Sequence, residues 1–448
     1  MAVFRYAATP PVPGPAPAPV HSPALPSVRL ARWPDAARVA LQYLPILAVT
    51  LLAKLSLPPL GPMGLGMDVP LIALAVLVGL FSGLLRVHTE RLMMYLAMLA
   101  WLGCTQLFRD APFSVTSLAL LATLFLPLTL RLRASTEPQQ TRSGAPAEPP
   151  LARALQAMAN LAAVFAACGV LQFALQVVVG TAAAFPVEHF VPPAWLITKF
   201  NTLIPVVDGA ALLKSNGVFF LEPSFYSQFM ALGLLMELSL RNRLPRVALL
   251  VAGLAVSYSG TGLIVAAVGL LGLVVVKGRW DLLLLGALAV LLLVMLDDVL
   301  PLQPLLKRAT EFQSVHSSGS ARFVAWIDMF NRQWWPEPGR VLFGTGAGSF
   351  ASHAAVARQP TAEMSFSKML FEYGVTGAVL FFGFLVATFN SVRAPLAFRL
   401  GLCTTLLVNG ALVAFPVGIA ASILLWPAPA RHRNPAKRHR FQPTRRDP

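Results

Sequence analysis

The feature that most constrains this chain is a series of apolar runs that no charge interrupts. Val69–Leu85, Leu92–Leu107 and Leu282–Leu296 contain no Asp, Glu, Lys or Arg. Each approaches the roughly 20 helical residues needed to cross a hydrocarbon core of about 30 Å. Only 12% of the 448 residues are charged, against about 25% in an ordinary soluble domain. The expected fold class is an all-α integral membrane protein.

Hydropathy places spans at Leu41–Leu57, Val69–Leu85, Leu92–Leu107, Ser114–Leu130, Ala154–Val179, Phe219–Leu240, Leu282–Leu296 and Ser367–Phe389. Two further stretches are too long or too interrupted to read simply. Val247–Val276 would measure about 45 Å as one helix, and Ser257-Tyr-Ser-Gly-Thr-Gly262 permits a break in it. Leu400–Trp426 is interrupted by Asn409-Gly410 and Pro416. Taking both as pairs gives twelve spans; taking both as single helices gives ten.

Lys and Arg accumulate in short cytoplasmic loops. Arg29, Arg32 and Arg38 precede the first span, Arg86 and Arg91 follow the second, and Arg131, Arg133, Arg142 and Arg153 follow the fourth. Arg241, Arg243 and Arg246 follow the sixth. The N-terminus is therefore expected inside. Twelve spans keep Lys277, Arg279, Arg393 and Arg399 inside as well, and put residues 298–365 outside.

The resulting organisation is a disordered cytoplasmic tail 1–38, four helices in 39–132, a cytoplasmic linker 133–153, and helices five to nine in 154–297 with an outer loop 180–218. A periplasmic loop 298–365, the last three helices in 366–427 and a basic cytoplasmic tail 428–448 follow. The Pro/Ala-rich segment Thr9–Pro26 has little to bury, and no signal peptide is expected before Leu41. The net charge of +16 is a topology signal with attraction to anionic headgroups of the bilayer; no nucleic acid partner is expected. Cys104, Cys168 and Cys403 lie in apolar runs without ligand spacing and read as small core residues. No metal site and no cofactor are expected.

The long outer segment 298–365 is not low in complexity. It carries Phe323, Trp326, Trp334 and Trp335, helical apolar spacing over Arg322–Phe330, and the turn Gly344-Thr-Gly-Ala-Gly-Ser-Phe350. This turn lacks the strand-then-helix context of a nucleotide-binding loop and is expected to reverse the chain before a surface helix. The whole segment is expected to be folded at the membrane surface.

Candidate chemistry gathers at the start of the sixth span, where Glu222, Ser224, Tyr226 and Gln228 edge an otherwise apolar helix. Ionisable groups at such depth point to a functional cavity; the alternative is that Glu222, before Pro223, caps the helix. Lys214, Arg322, Arg340 and Arg308 could form a cationic site for a diphosphate, because guanidinium pairs bidentately with phosphate; each could equally be a solvated loop cation. His316 and His353 could serve as bases or be plain loop residues. Gln172 and Gln176, one turn apart, and Asn160 are expected to hydrogen-bond between helices.

Five segments in order resemble the superfamily of O-antigen ligases and O-antigen or exopolysaccharide polymerases. They are Lys214-Ser-Asn-Gly217 with Phe220-Leu-Glu-Pro-Ser224, the Ser257–Gly262 break, Ser320-Ala-Arg322 ahead of Trp326, Phe343–Phe350, and Lys368-Met-Leu-Phe-Glu-Tyr-Gly-Val-Thr-Gly377. The resemblance covers about Leu151–Trp426; the first four spans match only in hydropathy. It implies about twelve transmembrane helices with a large periplasmic loop before the last three (GT-C-like), in the bacterial inner membrane. It also implies metal-independent glycosyl transfer from an undecaprenyl-diphosphate-linked glycan. A flippase and a chain-length regulator of the same pathway would be partners. Lys214 and Arg322 then become diphosphate contacts, and Glu222 ranks first as the base, ahead of Glu363 and His353.

Three departures matter. Lys214 stands where Arg is common, SGTG replaces a common Ser-Arg, and Pro360–Lys368 lacks the His often found in ligases. These lean towards a polymerase over a lipid A–core ligase. A polysaccharide-lipid transporter is the alternative from another class, although transporters usually concentrate charge near the midplane rather than at one surface.

Overall fold

The computed structural model describes residues 35–57, 65–107, 113–133, 150–197, 200, 202–206, 209–281, 284, 286, 318–409 and 417–426. Residues 1–34 of the N-terminal tail, the C-terminal tail, most of the linker, nearly all of Leu282–Leu296, and Arg308, His316, Gly410 and Pro416 lie outside the described residues; the expected tail 1–38 ends early, because α1 starts at Asp35.

The chain is mostly helical. Its first part holds α1 (Asp35–Leu52), α2 (Asp68–Phe81), α3 (Thr89–Leu107) and α4 (Val115–Phe125). Next come α5 (Pro150–Val178), two short helices α6 (Thr181–Ala184) and α7 (Pro186–Phe190), and α8 (Pro223–Leu240), α9 (Leu244–Val256) and α10 (Gly260–Lys277). The long loop contributes α11 (Ser318–Phe323), α12 (Ala325–Gln333), α13 (Pro338–Phe343) and α14 (Ser349–Ala355). The chain then forms α15 (Ser365–Asn390), α16 (Leu396–Val408) and α17 (Val417–Ile423). Two tiny antiparallel ribbons join loops: β1 (Ser56–Leu57) with β2 (Leu65–Gly66), and β3 (Leu85–Val87) with β4 (Leu130–Leu132).

Among the described residues, three helices, Leu151–Val178, Gly260–Lys277 and Ser365–Asn390, are long and apolar enough to cross a membrane. The stretches Val247–Val276 and Leu400–Trp426 are each broken, into α9 and α10 and into α16 and α17. The halves are short, however: α9 and α16 have 13 residues, about 20 Å each. The linker is also shorter than expected at its far end, because α5 already starts at Pro150.

Helix α8 is the centre of the bundle. Every residue from Pro223 to Leu238 is buried, and the helix packs on α5, α9, α10, α16 and α17. Although enclosed on all sides, it carries Ser224 and Glu237, which are tolerated because they are paired, Ser224 with Glu222 and Glu237 with Arg243. Its far end is closed by Glu237, which pairs with Arg243 at 2.8 Å and lies 4.0 Å from Arg246.

From Ser318 onward the long loop is folded, as expected; its residues 298–317 lie outside the described residues. Met329, Phe330, Trp334, Phe350 and Phe371 form a separate aromatic core that seats the loop on the first turns of α15. Trp335 lies outside that core, exposed but in contact with Trp334. The junction is sealed by backbone. A kink at Gly374 interrupts α15, and the N–H groups of Thr345 and Gly346 hydrogen-bond the carbonyls of Phe371 and Glu372 at 2.8 and 3.0 Å. The glycine turn is therefore a clasp between loop and helix. Cys104, expected in the core, is exposed on the outer face of α3; Cys168 and Cys403 are half-buried.

Gly344 combines φ +81° with backbone contact: a Cβ there would collide with the main chain of Glu372 and Tyr373. At Gly83, φ is +69° but nothing lies within 4 Å of a Cβ. Gly83→Ala is expected to cost about 1–2 kcal/mol, the conformational strain alone. Gly344→Ala should cost about 1–3 kcal/mol more, through overpacking. Unfolding midpoints of the purified variants in detergent check the difference.

Candidate functional site

Glu222 sits at the entrance of α8 with extended backbone, followed by Pro223 at the first helical position. Its side chain makes no capping hydrogen bond. The carboxylate instead accepts the Ser224 hydroxyl at 2.9 Å and faces the Arg322 guanidinium at 3.5 Å. The capping alternative is thus not what the side chain does. The pair joins the start of α8 to α11, two of the segments singled out in the sequence, across 100 residues of chain.

The Ser257–Gly262 break packs on the same turn of α8. Ser227 donates to the Ser224 carbonyl at 2.7 Å, and the Gly262 N–H donates to the Ser227 hydroxyl at 3.2 Å. A Cβ on Gly262 would meet Ser227 main chain, so the start of α10 approaches α8 backbone to backbone.

Ser224, Tyr226 and Gln228 do not form one edge. Residues two apart on a helix point away from each other. Tyr226 is fully buried, its ring set against Gly169, Gly217 and Gly253 and its hydroxyl without a partner among the described residues. It fills the core rather than facing a substrate. Gln228 lies one turn below Ser224, buried, with Oε1 unpartnered among the described residues.

Lys214 is buried beside the outer end of α5. The loop that carries it is held from that helix: Gln176 exchanges two hydrogen bonds with Leu213, at 2.7 and 3.0 Å, and Gln172 accepts from Ser215 at 2.7 Å and donates to Asn216 at 2.9 Å. Gln172 and Gln176 therefore bind a loop, not a neighbouring helix. Asn160 accepts from Arg246 across to α9.

The expected bases and cations divide in two. Glu363 pairs with Lys368 at 2.9 Å, and Lys368 reaches the buried Glu372 at 3.1 Å. Glu363 also lines a groove of about 470 Å³ walled by Ala321, Phe350, Ala351, Ala354 and Pro360. The Ala362 N–H donates to the Ala321 carbonyl at 2.9 Å, which keeps this wall next to Arg322. His353, on α14, is engaged with the Ser349 carbonyl at 2.8 Å and packs on Phe371. Arg340 pairs locally with Glu337 at 2.8 Å and donates to the Gln333 carbonyl. Glu222 thus contacts both Arg322 and Ser224, and Glu363 lines the groove that Ala321, next to Arg322 in the chain, also lines; His353 and Arg340 make their hydrogen bonds and ion pairs within the long loop.

Sequence reasoning missed two charged sets. Glu372 accepts the Phe350 N–H at 3.2 Å from beneath the glycine turn; its signal was the Lys368/Glu372 spacing of four. Lys54, in the turn after α1, is buried and pairs with Glu188 at 2.6 Å. It also donates to the carbonyl of Val218, a residue at φ +71°, a costly backbone conformation for a β-branched side chain. Asn216 donates to the same Glu188 oxygen at 2.9 Å. The signal was a lone cation in an apolar run.

A scan against protein-family models and searches of curated proteins and solved structures return no match.

Removing one partner of a buried ion pair leaves the other charge uncompensated, at a cost of about 3–5 kcal/mol. Lys54→Met is expected to destabilise by that amount. Lys54→Met/Glu188→Leu should recover most of it, as read from chemical unfolding of both variants in detergent.

Proposed function

We propose that this protein is a membrane glycosyltransferase that polymerises undecaprenyl-diphosphate-linked oligosaccharide repeat units into exopolysaccharide or O-antigen. The reaction takes place at the periplasmic face of the bacterial inner membrane. The observation that carries the reading is the Glu222–Arg322 contact: a carboxylate and a guanidinium 3.5 Å apart, at the mouth of a buried helix and next to a groove. Glycosyl transfer from a lipid diphosphate needs a cation for the leaving group and a base for the acceptor.

In this reading an acceptor hydroxyl attacks the anomeric carbon of the donor sugar. The carbon–oxygen bond to the diphosphate breaks, and the electron pair leaves with the diphosphate. Arg322 and Lys214 stabilise the charge that grows there. Glu222 takes the hydroxyl proton, and the Ser224 hydroxyl orients its carboxylate. The chemistry needs no metal.

Twelve crossings are the arrangement this reading requires. Helix ends support the alternation. Arg91 at the start of α3 donates to Ser391 just past the end of α15, Gln42 in α1 to Leu424 past the end of α17, and Lys277 at the end of α10 to Ser239 near the end of α8. Toward the opposite face, Gln106 near the end of α3 accepts from Ala347 in the loop, and Ser365 at the start of α15 donates to Asn409 after α16. The short helices would cross with help from the extended residues that flank them. Flippase and chain-length regulator are the partners proposed from the same resemblance. Transfer of finished polymer to lipid A–core remains the alternative reaction.

Two experiments test this. A single cysteine at Ser352, which is exposed on α14, in a background without the native cysteines, should label from the periplasm in intact cells. Labelling only after inner-membrane permeabilisation would contradict the topology. Deleting the gene should leave single repeat units; unattached full-length polymer would instead indicate a ligase. Complementation with Lys214→Arg should restore long chains. Arg322→Ala and Lys214→Ala should lower glycan transfer by at least about 100-fold at normal protein abundance, and full restoration by either would reject the assignment.

A further inference from the structure

The face of the bundle away from Glu222 carries a second, unassigned charge cluster. In the β3–β4 ribbon, Arg86 stands directly opposite Arg131, and Arg133 follows β4 with its N–H on the Leu84 carbonyl at 2.8 Å. All three arginines are exposed. Behind them Arg91 is buried, its donors met by the Ser391 hydroxyl at 2.7 and 3.2 Å and by the Leu128 carbonyl at 3.4 Å. Among the described residues no carboxylate forms an ion pair with any of these four guanidiniums.

Like charges directly opposite on a ribbon repel, and this ribbon has only three residue pairs to offset the repulsion. The field is felt next door. His88, buried between β3 and α3, has its pKa pushed below the ordinary histidine value by burial first and then by Arg91 and Arg131, against a smaller opposing effect of Glu90. The setting is also apolar: Phe81 at the end of α2 is 91% exposed and Val87 on β3 is 45% exposed. A free anion would satisfy the arginines but leave those side chains uncovered.

We propose that the β3–β4 ribbon is a binding site for an anionic phospholipid, its phosphate held by Arg86, Arg131 and Arg133 and its acyl chains lying along Phe81 and Val87. Guanidinium pairs with phosphate oxygens in a fixed, bidentate geometry. The site fastens two halves of the protein. The ribbon touches the C-terminal helices through Leu132 N–H on the Trp426 carbonyl at 3.1 Å, and Trp426 Nε1–H donates to the Pro127 carbonyl at 2.8 Å. Arg91 reaches Ser391 after α15. A lipid that neutralises the ribbon therefore stabilises the contact between α1–α4 and α15–α17. This inference is independent of the glycosyltransferase reading.

The test is native mass spectrometry of the full-length, delipidated protein titrated with dioleoylphosphatidylglycerol or dioleoylphosphatidylcholine. Wild type should bind the phosphatidylglycerol preferentially. Arg86→Gln/Arg131→Gln should weaken that binding by about twenty-five-fold, at about fivefold per guanidinium, and leave phosphatidylcholine binding unchanged. Arg279→Ala, which removes a half-buried arginine paired with Asp281, should have no effect. In lipid-free detergent the double variant should unfold no lower than wild type, because a repelling pair has been removed. The proposal is overturned by equal binding of the two lipids to wild type, by undiminished phosphatidylglycerol binding to the double variant, or by an equal loss in Arg279→Ala. Displacement of phosphatidylglycerol by an equal concentration of inorganic phosphate, or a lowered lipid-free midpoint of the double variant, overturns it too.

Discussion

The enclosure of α8 is the constraint from which the rest of the structure follows. A polar group away from water is costly unless it is paired, and a helix surrounded by α5, α9, α10, α16 and α17 has no wet face to offer. Its charged groups therefore stand at its ends, each with an arginine: Glu222 with Arg322 at one, Glu237 with Arg243 at the other. The second pair comes from neighbours in sequence and closes the helix. The first reaches across to the long loop, so the loop must be held in register for the pair to exist.

That register is set by main chain rather than side chains. Gly344 and Gly374 let the loop and the kinked α15 touch backbone to backbone, and the carbonyls of Phe371 and Glu372 are taken up by the glycine turn. Glu372 beneath the turn makes the same junction polar: its Oε1 accepts the Phe350 N–H and pairs with Lys368, while its Oε2 has no partner among the described residues. The KSNG loop is fixed by a different device, the buried set of Gln172, Asn216, Glu188 and Lys54. The strained Val218 within its hold is consistent with a loop whose geometry is over-determined, as functional loops often are.

Much of the architecture was legible in the sequence because it rests on local patterns. Charge-free runs mark helices, glycine and proline clusters mark the breaks after Val256 and Val408, and aromatic spacing marks the folded loop. The site was legible in part: Glu222 and Arg322 were identified separately, and only the fold joins them. Tyr226 was misplaced because residues two apart point to different sides of a helix, and its ring is taken up in the space left by Gly169, Gly217 and Gly253. The Lys54–Glu188 pair spans 134 residues, and no periodicity links such positions. Helix α8 also shows why apolarity alone undercounts buried helices: its polar residues are compensated by neighbours that the sequence does not align.

The central claim is that the Glu222–Arg322 contact is the seat of glycosyl transfer. Its most direct measurement is turnover of a purified lipid-linked repeat unit in nanodiscs by wild type and by Glu222→Gln, which keeps the shape of the side chain but cannot take a proton. The account predicts release of undecaprenyl diphosphate with chain lengthening by wild type, and a rate about 10²–10⁴-fold lower in the variant. Near-normal turnover by Glu222→Gln would contradict it and leave Glu222 a structural partner of Arg322.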